Sequence, residues 1–106
     1  MISQRSGNVT SGPVSNDEIR TSLRAQTAFF QRCYLAYINR SGTGAGSIVV
    51  AFTVSQAGKV RDAKILRTTF NDSTLNSCVL ETVERTSFRA FEGDDVPVLE
   101  FPIELG

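Results

Sequence analysis

Apolar positions along the chain switch three times between helical and alternating periods, and these switches divide it into elements. Ser15-Asn16-Asp17-Glu18 has the capping-box spacing that opens a helix. The stripe Ile19, Leu23, Phe30, Cys33, Tyr34 and Tyr37 follows at helical spacing and predicts one helix running to about Ile38. Gln26 interrupts that stripe, and its burial would need a hydrogen-bond partner. Ser41-Gly42-Thr43-Gly44-Ala45-Gly46 then breaks the helix and reads as a flexible connector. A phosphate-binding glycine loop follows a strand and opens a helix; here the order is reversed.

Ile48, Val50, Phe52 and Val54 alternate with Val49, Ala51, Thr53 and Ser55, which predicts a strand with one strongly apolar face. Gln56-Ala57-Gly58-Lys59 supplies a turn, with Gly58 able to take positive φ. A second strand runs from Val60 to about Thr68. Its apolar positions Val60, Ala63 and Ile65 break strict alternation, so a β-bulge is expected near Arg61-Asp62. Asn71-Asp72-Ser73 offers capping side chains for a second helix with the stripe Leu75, Cys78, Val79, Thr82 and Val83, ending near Arg85. The last strand, Val96 to Leu105, is read with Leu99, Phe101, Ile103 and Leu105 on one face and Glu100, Pro102 and Glu104 on the other. Pro97 and Pro102 cannot donate to a ladder, which places this strand at a sheet edge. The expected fold is α+β, in the order α-β-β-α-β. It has a three-stranded antiparallel sheet in the order two, one, three, reached by a right-handed crossover, with both helices on one face.

Composition narrows the function more than it names it. At 106 residues, with eleven basic and eleven acidic side chains, the chain is one domain with no net field to draw it to nucleic acid or anionic lipid. Residues 1–14 have linker composition, so the domain is taken as 15–106. Histidine is absent, which removes the commonest general base and transition-metal ligand. No serine elbow or Cys-x-x-Cys occurs, and Glu92, Asp94 and Asp95 lack the spacing of a calcium loop. The expectation is therefore a non-enzyme with no catalytic residues, cofactor, metal or small-molecule substrate, and with no nucleic-acid partner. Cys33 and Cys78 lie on the apolar stripes of different helices. They read either as a disulfide closing a loop of about 45 residues or as two buried thiols.

Several strings in order resemble the C-terminal domain of TonB-type energy transducers. They are Cys33-Tyr34 late in the first helix, Gly46-Ser47-Ile48-Val49-Val50-Ala51-Phe52-Thr53-Val54, and Gly58-Lys59-Val60. Asn71-Asp72 before the helix carrying Cys78, Phe88 after it, and Phe101-Pro102-Ile103 complete the set. The nearest branch by this likeness is that of the TonB-like domains of myxobacterial gliding and adventurous-motility proteins, and the likeness covers about Ile19 to Leu105. Thr86 and Arg89 stand where that branch commonly has tryptophan and proline, so Thr86 to Asp95 is the least transferable stretch. The related TolA domain has its first cysteine in a strand, unlike Cys33.

The resemblance implies a Cys33–Cys78 disulfide and a periplasmic location at the end of a longer, inner-membrane-anchored protein. It further implies docking of an extended segment from an outer-membrane or periplasmic protein, which adds to the last strand by β-augmentation. An inner-membrane motor complex would be engaged through upstream chain, and the role would be motility or transport. Val98, Leu99, Glu100, Phe101 and Ile103 are the expected partner-binding core, with Val98, Glu100 and Glu104 pointing outward. Proline at Glu100 or Ile103 is expected to abolish binding. The alternative is a structural assembly domain that homodimerises through the same edge.

Overall fold

A computed structural model describes residues 12–40 and 42–106, in the order α1 (Asn16–Arg24), α2 (Thr27–Arg40), β1 (Gly46–Val54), β2 (Val60–Thr68), α3 (Ser73–Arg85) and β3 (Val96–Leu105). The linker expected over residues 1–14 lies mostly outside the described residues. Val14 at its end is buried in the core, so packing begins before the expected boundary.

The single long N-terminal helix is corrected to two. The capping box forms as expected, with Ser15 Oγ accepting from Glu18 N–H and Glu18 accepting from Ser15 N–H. The helix then stops at Ala25–Gln26, where an unbroken stripe would have pointed the Gln26 amide inward. The Thr27 hydroxyl donates to the Arg24 carbonyl across the break, and the Gln26 carbonyl accepts from the N–H groups of Phe29 and Phe30. The polar position thus marks a joint and not a core slot.

β1 is the central strand, antiparallel to β2 on one side and to β3 on the other, in the expected order β2-β1-β3. Ile48, Val50, Phe52 and Val54 point inward and pack with Leu23, Phe30, Leu75, Val79 and Val83 from the helices. The expected bulge in β2 occurs at Asp62–Ala63, opposite Phe52, and Asp62 takes φ 55°. A second irregularity, not expected, puts both Leu66 and Arg67 opposite Val49.

Cys33 of α2 and Cys78 of α3 form a disulfide with Cα atoms 5.8 Å apart, joining the two helices over the sheet. Arg40 of α2 bonds Asp72, the N-cap of α3, at 2.8 Å. Along the buried side of α3, Thr82 and Thr86 return their hydroxyl protons to the carbonyls of Cys78 and Thr82, so neither hydroxyl is stranded in the core. The glycine connector is also less free than its composition suggests. Tyr34 donates to Gly44 O at 3.0 Å, and Gly42 N–H returns to Tyr37 O.

The stretch from Thr86 to Asp95 wraps the β1–β2 turn. Phe88 N–H donates to Gly58 O, Phe91 N–H to Gln56 O, and Gln56 N–H to Asp95 Oδ1. Gly58 has φ 83°, and a Cβ there would strike the Phe88 carbonyl, so both turn and loop require glycine. Arg89 in the same stretch grips Glu18 of α1 through two bonds, Nε to Oε2 at 2.7 Å and Nη2 to Oε1 at 3.0 Å, and reaches Gly12 O at 2.8 Å. The segment least legible by resemblance therefore ties α1 to the hairpin.

Candidate functional site

Among the described residues β3 has β1 on one side and no strand on the other, so its second side is an open edge there. A groove of about 590 Å³ lies along it, walled by Arg20, Leu23 and Arg24 of α1, Thr27 of α2, and Phe101 to Leu105 of β3.

Side chains on β3 do not alternate as expected. Leu99 and Glu100 both lie opposite Ala51, a bulge that adds one residue to β3 and changes the face of everything before it. Leu99 is consequently 77% exposed on the helix-free face and not in the core. Val98 is half-buried with the inward residues, so its expected outward placement is also corrected. Phe101 is half-buried, Ile103 is buried, and Glu100 and Glu104 are exposed.

The backbone phase follows from bonds elsewhere on β1. Thr69 N–H donates to Ser47 O, Ser47 N–H to Thr69 Oγ1, and Ser55 N–H to Lys59 O, so Ser47 and Ser55 address β2. Gln56 N–H turns instead to Asp95, on the β3 side. Because a strand's main-chain groups alternate, Ser47, Val49, Ala51 and Thr53 bond β2, and Ile48, Val50, Phe52 and Val54 bond β3. Residues directly opposite in an antiparallel pair point both toward each other or both away. Val98, Phe101 and Ile103, opposite Phe52, Val50 and Ile48, therefore spend their main-chain groups on β1. Pro97, Pro102 and Glu104, opposite Thr53, Val49 and Ser47, turn theirs to the open edge.

Three consequences follow for the site. The edge is rich in carbonyl acceptors, because Pro97 and Pro102 have no N–H to offer. Its regular part is Phe101–Leu105, beyond the bulge, where register with β1 is unbroken. Proline at Ile103 would damage the sheet itself, so proline at Glu104 is the substitution that tests the edge.

Charge differs between the two flanks. On the helix-free face Glu100 bonds Arg67 of β2 at 3.0 Å, with both side chains more than half exposed, while Glu104 has no ion-pair partner among the described residues. On the helix side, Arg20 pairs with Asp17 at 2.9 Å, and Arg24 is exposed. Pro102, Glu104 and the α1 wall are the parts of this arrangement that residue-level reading left out of the binding core. The proline spacing carried the signal for the first two. Among the described residues no group of three or more histidine, cysteine or carboxylate side chains is placed to hold a metal ion. No helix among them is long and apolar enough to cross a membrane.

The fold has a solved counterpart. The solution structure of the Helicobacter pylori TonB C-terminal domain (residues 179–285) superposes with a TM-score of 0.63 at 26% identity, covering 88% of this chain and 83% of that one. The chain thus has the fold of the TonB C-terminal domain, α+β with three antiparallel strands. Neither a protein-family model nor a curated protein matches it.

Proposed function

We propose that this domain is a non-catalytic docking module in which an extended segment of another protein adds to the open edge of β3. The observation that carries the reading is the conjunction of an edge over Phe101–Leu105, unpaired among the described residues, with a groove of about 590 Å³ between that edge and α1. The TonB-like fold supports it. The wider setting belongs to the same proposal: a periplasmic domain of an inner-membrane-anchored transducer, coupled to a motor complex through upstream chain and serving motility or transport. The sequence resemblance to myxobacterial motility domains supports the motility side of that setting.

The homodimer alternative is the weaker reading. A symmetric β3–β3 pairing sets two proline-interrupted edges against each other and loses the missing donors twice, whereas a foreign strand meets them once. It also sets Glu100 and Glu104 of one copy against those of the other, and like charges across paired strands are destabilising. The test is amide chemical-shift mapping on the labelled domain, titrated with synthetic peptides from the periplasmic segments of outer-membrane transporters of the same organism. Shifts confined to Val98–Leu105 and α1, lost in Glu104→Pro, are expected. Shifts at the β2 edge, or none with any peptide, sink the proposal.

A further inference from the structure

The two flanks of the edge differ in charge and exposure enough to specify what the docking strand carries. Resting on the strand-addition reading, we propose that the occupant is a segment of a different protein with lysine or arginine at alternate positions on its helix-free face. The intervening residues, which face the groove, are apolar.

A strand added beside Phe101–Leu105 places its side chains on the same faces as the β3 residues opposite them. Those opposite Ile103 and Phe101 enter the groove, meeting Leu23 below and the guanidinium groups of Arg20 and Arg24 on the α1 wall. The α1 wall offers an added cation no free carboxylate, since Asp17 is already paired with Arg20, and apolar side chains meet Leu23, Phe30 and Ile103 in the groove. Those opposite Glu104 and Glu100 emerge on the helix-free face beside carboxylates. Glu104 is exposed and has no ion-pair partner among the described residues, so an incoming cation displaces nothing. Glu100 is shared with Arg67 and contributes less. The residue opposite Pro102 meets a flat apolar ring and no donor, so it needs only its own N–H to reach the Pro102 carbonyl.

The edge thereby reads an alternation, cation outside and hydrocarbon inside, over about five residues. A second copy of this chain does not match it, since the outward residues of its own β3 from Glu100 to Glu104 are acidic or proline.

The probes are two synthetic seven-residue peptides with valine at every groove-facing position. One carries lysine opposite Glu104 and Glu100, and the other carries glutamate. Affinity is read by amide shift titration on the intact domain, with Glu104→Lys as the variant; Glu104 is solvent-exposed, so the fold is retained. The lysine peptide is expected to bind about tenfold tighter than the glutamate peptide at low salt, and Glu104→Lys is expected to invert that preference. Equal affinities with shifts still on β3 overturn the charge selection and leave strand addition standing. Absence of β3 shifts with both peptides overturns this inference and counts against the docking reading as well. A preference that Glu104→Lys fails to change also overturns it, because the selection would then lie elsewhere.

Discussion

Glu18 shows how much one side chain can serve here. Its carboxylate closes the capping box of α1 and accepts both bonds from Arg89, seventy-one residues later. The Arg89 guanidinium, ahead of the Ser15 N–H, holds its pKa down at about 2 from the usual 4.5. A depressed folded-state pKa means the unfolded chain binds the proton more readily. The stabilisation is fully present above about pH 4.5 and is lost as pH falls through about 2. Glu18 is partly exposed, so the effect is modest and salt-sensitive. Thermal melts from pH 6 to pH 2 should show Glu18→Gln melting a few degrees below the parent at pH 6, with the gap closing toward pH 2. A gap that stays constant with pH would show that the ion pair contributes nothing. Sequence alone displayed the capping box, a local pattern four residues long. It could not display Arg89, because nothing in a chain's order marks two residues so far apart as neighbours.

At the scale of elements, the helix break and the β3 bulge are the two places where periodicity misled, and for opposite reasons. Gln26 was visible as an interruption, but a stripe that resumes in phase reads as one helix; the cost of burying the amide decided for a joint. In β3, Leu99 looked like a core position because Phe101, Ile103 and Leu105 follow at intervals of two. An extra residue opposite Ala51 shifts that phase, so Val98 turns inward and Leu99 turns out. Since the pairings on both sides of the bulge already match β1, deleting Leu99 should straighten the strand without changing partners. The expected result is a folded domain with Tm within a few degrees of the parent and a stronger tendency to self-associate, as an irregular edge becomes a regular one. Circular dichroism melts and sedimentation would check both parts. Loss of the folded state would show that the bulge is required for β3 to pair with β1.

At the scale of the molecule, the described contacts form one core, with the disulfide bridging α2 and α3 above it. The bridge closes a loop of 45 residues. In the chain-entropy model such a closure contributes about 4 kcal/mol, a large part of the stability of a domain this size. Denaturant titrations with and without reductant should differ by an amount of that order, and Cys33→Ala/Cys78→Ala should match the reduced protein. Identical midpoints would mean that the bond is absent from the folded protein or that it constrains nothing in the unfolded one.

The amino-acid order by itself determined the element types, the α+β class, the strand order β2-β1-β3 and the placement of β3 at an edge. Each rests on short-range chemistry: apolar period, capping side chains, a glycine turn, and prolines that cannot donate to a ladder. Tertiary structure alone decided that Arg89 would clasp Glu18 and that the 86–95 stretch would bind the β1–β2 turn. It also decided which β3 residues turn their backbone outward. That last choice depends on the bulge and on the hydrogen-bond phase of β1, and a strand's phase is set by its neighbour rather than by its own side chains.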